Sequence, residues 1–565
     1  MSSRIPLRAC RGATLAAAAF ALASCSGSEP TPSAAGPADV GGTMVISTPA
    51  DAGTMLPMLT ESNVDHFVTD LLYDRLAVIG PQMSTVGDKG FTPQLADRWE
   101  WAPDSLSIVF HLNPKARWHD GQPVRASDVR YSVAIFKNPA TGSQAASTIT
   151  NVDSVSVRDS VTAVAWFKKH TPEQFYDLAY QVLIVPEHIL SNTPAAQLKT
   201  AEVGRRGIGS GRFRLARWEP GQRIELIADT ANYRGRPKLD RVVISIAPDF
   251  TGAVTRFFSG DADMIEQLRP ENLAKLATDT TRRALRLPNF QYTYLSFNLV
   301  DPKQPTQPNP IFSERAVRRA LTMAVDRRAM LRNVFDTLGQ MAYGPFPHSV
   351  SVADTTLPQL PYDTAKARAL LDSAGWVMGP GAVRVKNGRR LEFSVSTPNS
   401  SAPRHAYAVL LQEAFRRVGA SMKIDETDFG SFASNEKNRT FDTEMSTYGT
   451  DPSVSGFKQS WSTAGIALRS NFPSYSNPTV DALLDSATAS FDFAHTRDYA
   501  RRAFGTIIED APGIWLYEPL TIGGIDKRIH TTTLRPDGYW ASIPEWWIPA
   551  AQRTARDKIG LKSAQ

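Results

Sequence analysis

The chain has 565 residues, 42% of them apolar, 21% charged and 9% aromatic, and a formal charge of +6. This is the composition of a soluble globular protein long enough for two to four compact units. Three of those charges are Arg4, Arg8 and Arg11; without them the chain carries +3, and no basic run follows that would track a phosphate backbone, so a nucleic-acid partner is excluded.

At the N-terminus the three arginines precede the apolar stretch ATLAAAAFALAS, which is shorter than the roughly 20 residues a membrane span needs. LASCSG then places Ala23 and Ser24 ahead of Cys25, which looks like the lipobox of a bacterial lipoprotein precursor. The resemblance implies a signal peptide over 1–24 and a lipid on Cys25. The only other cysteine is Cys10, so the remaining chain has no disulfide and no thiolate ligand, and its contact with a membrane is the N-terminal lipid alone. Residues 26–41, SGSEPTPSAAGPADVG, are small, polar and proline-containing and read as a flexible tether.

Structure begins with a strand in GTMVIST. DHFVTDLLYDRL sets Phe67, Leu71, Leu72 and Leu76 on one helical face. LSIVFHL reads as a strand with Leu106, Ile108, Phe110 and Leu112 on one side. In RWHDGQPVRASDV, His119-Asp120-Gly121 reads as a turn, Ser127 as a helix cap and Asp128 as the first helical residue. A zinc site needs three or four converging ligands, and these residues do not supply them. Gly209-Ser210-Gly211 enters a β-hairpin whose apolar side is Phe213, Leu215, Ile224, Leu226 and Ile227; no Gly-Lys-Ser/Thr follows, so it is not a phosphate loop. A strand–helix–turn–strand unit spans LDRVVISIAPDFTGAVTRFFSGDADMI.

QYTYLSFNL is a strong strand. Ser313 is read as the cap of the following helix, Asp326 of the next, Asp363 of the helix ending at Gly375, and Asn477-Pro478 opens another. LEFSVST, SMKIDE, FDTEMSTYG and GIWLYEP are strands. Strands and helices alternate throughout, giving an α/β class with mixed sheets.

Seven segments, in order, resemble the extracellular solute-binding proteins of the peptide and nickel ABC transporter family (family 5, the oligopeptide and dipeptide-binding lipoproteins). They are PQLADRWEWAPDSLSIVFHLNPKARWHDGQPVRASDVRYSV, ANYRGRPKLDRVVI, YLSFNL, ERAVRRALTMAVDRRAM, YDTAKARALLDSAGW, SNPTVDALLDSA and IIEDAPGIWLYEP. The resemblance implies a two-lobed periplasmic binding protein-like type II fold, with a hinge of two crossing strands near YTYLSFNL and GIWLYEP and an extra subdomain in the first lobe. It divides the chain into a signal peptide (1–24), a tether (25–42), lobe I (43–76, 206–290 and a C-terminal return, 519–565), an inserted subdomain (77–205) and lobe II (291–518). Two departures stand out: Gly209-Ser210-Gly211-Arg212-Phe213 lacks the family's proline, and Ser105 stands where glycine is usual.

The implied function is capture of a di- or oligopeptide for a membrane permease, by a monomer without cofactor or metal. A peptide's amine must meet a carboxylate, because burying it unpaired is costly. In STYGTDPSVSGF the resemblance implies Asp451 as that residue, with Tyr448, Gly449 and Thr450 lining the cleft and Trp461 stacking on the ligand or packing in the core. Arg469 reads as a solvated surface residue. The same fold holding an oligosaccharide, metal chelate or other small solute is the alternative. The enzyme spacings Gly-x-Ser-x-Gly and His-Glu-x-x-His are absent.

Overall fold

A computed structural model describes residues 39–558; residues 1–24 and Cys25 lie outside them. Lobe I is built on a seven-stranded sheet. Thr43–Thr48, buried along its whole length, runs at its centre, parallel to Arg241–Ile246 on one side and Met264–Ile265 on the other. Arg223–Ala228 and Phe213–Glu219 continue the sheet as an antiparallel hairpin; Thr521–Asp526 and Arg282–Leu287 close the other edge. Successive side chains of a strand point to opposite faces. Phe213, Ile224 and Leu226 are therefore fully buried, whereas Ile227, grouped with them in the sequence reading, lies on the other face and is only half-buried.

The two ends of the described chain meet in this lobe. The Thr43 N–H donates to Asp557 Oδ1 at 2.8 Å and the Val45 N–H to Asp263 Oδ2 at 2.8 Å. Arg528 bridges both carboxylates, at 2.9 and 2.8 Å. Buried charges of this kind are tolerable because each is paired and hydrogen-bonded.

Lobe II carries a six-stranded sheet in the order Gln340–Met341, Gly513–Glu518, Gln291–Phe297, Thr443–Gly449, Glu392–Pro398, Ser421–Thr427. Gln291–Phe297 is buried at every position but the first. A strand covered on both faces needs no apolar–polar alternation, and in QYTYLSF the polar Thr293 and Ser296 are buried together with Tyr292, Tyr294, Leu295 and Phe297. The chain crosses from lobe I to lobe II at 288–290 and returns at 519–520, the hinge expected from the sequence.

A four-stranded antiparallel sheet, in the order Ala96–Trp101, Ser107–Leu112, Thr162–Phe167, Val152–Asp159, forms the extra subdomain. His119 joins it to lobe I. Its N–H donates to the Gly209 carbonyl (2.8 Å), its Nδ1 accepts the Gly209 N–H (3.1 Å), and its Nε2 meets the Gly211 carbonyl (3.0 Å). This fixes a neutral imidazole with the proton on Nε2, and burial holds its pKa below the usual value. Gly209 and Gly211 are required by close approach: a Cβ would fall 1.8 Å from the Leu72 carbonyl oxygen and 2.3 Å from that of Leu71. Asp120 accepts the Gln122 N–H (3.1 Å) and Gly121 has φ +89°, so His119-Asp120-Gly121 is a turn. Ser105, in its unusual place, has φ +56°, a conformation glycine adopts without strain.

Three local readings are corrected. The helix Ala126–Lys137 starts before Ser127, and Asp128 sits in its first turn, accepting the N–H groups of Arg125 (2.7 Å) and Glu187 (2.9 Å). Ser313 does not cap Arg315–Met323; its hydroxyl turns back to the Asn309 carbonyl. The helix Asn63–Leu72 ends before Leu76, which is buried in the segment beyond. Asp326, Asp363 and Asn477 cap as expected, accepting the N–H of Ala329, Lys366 and Thr479, each at 2.9 Å.

Candidate functional site

In open α/β sheets ligands sit beyond the carboxyl ends of strands. In lobe II the strand Thr443–Gly449 runs out at such an end beside the hinge. Gly449 is paired with Gln291, and the Thr450 N–H donates to the carbonyl of Phe290, a crossing residue, at 2.9 Å. Asp451 follows and is exposed. One of its oxygens, Oδ1, accepts the Ser453 N–H at 2.8 Å, which orients the side chain. Ser453 then caps the helix Val454–Trp461.

The opposite wall comes from the subdomain. Glu173 reaches across the crevice. Its Oε1 accepts the Val454 N–H at 3.1 Å and the Thr85 hydroxyl at 2.8 Å, and its Oε2 accepts the Ser455 hydroxyl. A carboxylate suits this place, since the first N–H groups of a helix have no partner within it. One turn later Asp177 lies in a π turn, Tyr176–Tyr180, a local distortion frequent at functional sites. Burial, then Glu173 and Asp451, push its carboxyl up to about 8. Burial chiefly, with Asp451 adding, also raises Glu173 against the hydrogen bonds of Ser455 and Thr85. Further along the same seam the His170 and Phe491 rings meet across the lobes, tilted by 30° with centroids 3.9 Å apart.

The sequence-selected residues do not all reach the crevice. Tyr448 is half-buried and its hydroxyl is bonded to that of Ser460. Trp461 is corrected to a core residue: 1% exposed, it packs against Tyr294 and Trp515 and donates from Nε1 to the Tyr292 hydroxyl at 3.0 Å. Arg469 is exposed, as expected. The spacing Ser-x-x-Lys occurs in the helix as Ser455–Lys458, yet Lys458 pairs with Asp485 (2.7 Å) and Ser455 with Glu173, so the lysine is not aimed at the serine. Among the described residues no cluster of three or more His, Cys, Asp or Glu could hold a metal ion.

Arg404 was missed. It stands in the first turn of the helix Ala402–Arg416, just beyond the carboxyl end of Glu392–Pro398. Its guanidinium lies 5.6 Å from the Phe432 ring, and its buried Nη1 has no hydrogen-bond partner. The acids nearest it, Glu436 and Glu444, are both held above the usual carboxylate range by burial, so they do not neutralise it fully. APRHAY reads only as the start of an amphipathic helix; no local signal marks the arginine.

Two α/β lobes joined by two crossing segments, with Glu173 of the subdomain bonded to the start of a helix in lobe II, have the architecture of a solute-binding protein. The profile of the bacterial extracellular solute-binding proteins, family 5, matches residues 90–466, and the chain belongs to that family. It is 25% identical over 552 residues to the oligopeptide-binding protein AppA of Bacillus subtilis, covering 94% of this chain and 96% of that one. It is equally 25% identical, over 515 residues (90% and 94% of the two chains), to the probable D,D-dipeptide-binding periplasmic protein DdpA of Escherichia coli. Among solved structures it shares its fold with the substrate-binding protein CtaP of Listeria monocytogenes (TM-score 0.76, 19% identity, 90% and 100% of the two chains). It likewise matches AppA in complex with a nonapeptide (TM-score 0.66, 22% identity, 90% and 99%).

Proposed function

We propose that this protein is the receptor of an ABC importer for di- or oligopeptides, closing its lobes on the peptide and presenting the closed form to a membrane permease. The observation that carries the reading is Asp451, an exposed carboxylate with one oxygen engaged, next to Thr450, whose N–H is bonded to the crossing residue Phe290. It pairs the peptide's amine, and Gly449 and Thr450 shape the wall around it. Arg404, with its unpartnered Nη1, takes the peptide's carboxylate. The names of AppA and DdpA support a peptide cargo. We further propose residues 1–24 as signal peptide and Cys25 as the lipidated residue that tethers the domain to the outer face of a membrane; Cys25→Ser should release it into the soluble fraction.

Calorimetric titration with trialanine and with N-acetyl-trialanine tests the cargo. A charge-assisted hydrogen bond contributes roughly 1.5–3 kcal/mol, so acetylation or Asp451→Asn should each weaken binding at least tenfold. Equal affinity for both peptides defeats the peptide-amine reading and leaves the alternative solutes.

A further inference from the structure

Glu173 stands on a rigid base in the inserted subdomain. The carbonyl of Pro172, one residue before it, accepts the Gly87 N–H at 2.8 Å. Gln174, one residue after it, is fully buried; its Oε1 accepts the Thr171 N–H and its Nε2 donates to the Ser105 carbonyl, both at 2.8 Å. Phe175 follows, fully buried against Phe91 and Trp99, with ring centroids 4.9 and 4.8 Å away. The Thr85 hydroxyl then orients the carboxylate, donating to Oε1 at 2.8 Å. With both neighbours pinned, little conformational freedom is left to lose when this side chain meets a partner.

The partners lie in the segment that follows Asp451. Val454 and Ser455 open the helix Val454–Trp461, whose first N–H groups have no acceptor within the helix. Glu173 Oε1 accepts the Val454 N–H at 3.1 Å, and Oε2 accepts the Ser455 hydroxyl. Three residues upstream of Val454, Asp451 Oδ1 is bonded to the Ser453 N–H at 2.8 Å, and Thr450 is held to the crossing residue Phe290 at 2.9 Å. At the far end of the helix Trp461 donates to Tyr292, in the strand that leaves the hinge, at 3.0 Å. Residues 450–461 thus tie the hinge, Asp451 and the subdomain together. His170 of the subdomain and Phe491 of lobe II add a second contact along the seam.

We infer that the inserted subdomain is the surface against which lobe II closes, and that Glu173 is the positioning residue which holds the closed form and fixes the segment bearing Asp451. A rotation at 288–290 and 519–520 that opened the crevice would part Glu173 from Val454 and Ser455. It would leave the bond from Thr85 intact, since both residues belong to the subdomain. The two bonds across the seam are therefore made in the closed form alone. They are charge-assisted, and they add to the closed state a stabilisation that does not depend on the guest. This rests on the reading of the protein as one that closes its lobes on a solute, and it is independent of which solute enters.

Calorimetric titration of the full chain with trialanine and N-acetyl-trialanine tests it. Hydrogen bonds to a charged group are strong enough that Glu173→Ala should weaken both peptides by at least about tenfold and leave the ratio of their affinities as in wild type. Asp451→Asn, in contrast, should abolish that ratio. Ser455→Ala, on the opposite side of the seam, should weaken both by about fivefold, and the double variant should bind no worse than Glu173→Ala alone, because the two changes remove one shared contact. Glu173→Gln keeps an acceptor for Val454 and should fall between Glu173→Ala and wild type; with Ser455→Ala it serves where Glu173→Ala folds poorly. Additive losses in the double variant overturn the inference. So does a Glu173→Ala protein that has a lowered urea midpoint and wild-type affinity, which would make Glu173 a prop within the subdomain. Where trialanine does not bind wild type, the peptide reading fails and small-angle X-ray scattering of the free protein decides: a larger radius of gyration for Glu173→Ala supports the positioning role, and identical scattering overturns it.

Discussion

Asn289 Nδ2 donates a hydrogen bond to the Pro519 carbonyl at 2.6 Å, and by it the two crossing segments of the hinge hold each other directly. Asn289 Oδ1 also accepts the Gln291 N–H at 3.0 Å, and its own carbonyl receives the Ser349 hydroxyl. A single side chain thus sets the spacing at which both lobes pivot. Asn289→Ala removes two hydrogen bonds, each contributing about 1 kcal/mol net. The variant should lose about 2 kcal/mol of stability in urea denaturation and release a bound peptide faster, because the closed geometry is less well defined. An unchanged urea midpoint would show that the crossing segments are held by other contacts.

Arg404→Gln should weaken a peptide with a free C-terminus by tenfold or more, the loss of a charged hydrogen-bond pair. The same peptide with an amidated C-terminus should bind the variant and the wild type alike. Parallel calorimetric titrations of the two peptides give the answer, and equal losses for both would assign Arg404 a purely structural part.

His119 gives the stability a pH dependence. Its folded pKa is lowered by burial. Above about pH 6.5 both folded and unfolded states are neutral and pH has no leverage through this group. Below that the unfolded chain takes up a proton the folded protein refuses, so stability falls as pH falls, by up to about 1.4 kcal/mol per unit until the folded value is reached. His119→Gln keeps a donor and an acceptor without a titrating ring. Urea midpoints measured from pH 7.5 to 5.5 should fall less steeply for the variant than for wild type.

Trp461→Phe loses the Nε1 bond to Tyr292 and some packed volume. It should cost about 2 kcal/mol of stability while changing peptide affinity by less than about threefold. A large loss of affinity with unchanged stability would return Trp461 to the ligand.

The sequence displayed the fold well because its signals are local. Caps such as Asp326 and Asn477, the paired strands of the hinge and the turn at Gly121 each rest on a few neighbouring residues. The site was harder to read. Glu173 and Val454 stand 281 positions apart, and nothing in TPEQFYDLAY marks an acid that will cap a helix in the other lobe. Trp461 lies on an amphipathic helix either way; only the packing of Tyr294 and Trp515 decides which side it takes. Asp451 is singled out through the family resemblance of STYGTDPSVSGF, whereas Arg404 looks like one of many arginines at a helix start.

The bond from Thr43 to Asp557 has a mechanical consequence. Residues upstream of Thr43 enter a strand at the middle of a seven-stranded sheet, between two parallel neighbours. A tug from that direction runs along the strand and loads its whole hydrogen-bond ladder in shear, with Arg528 and its two carboxylates as a rivet at the point of entry. Under the proposed N-terminal tether, lobe I would bear the strain and lobe II would stay free of it.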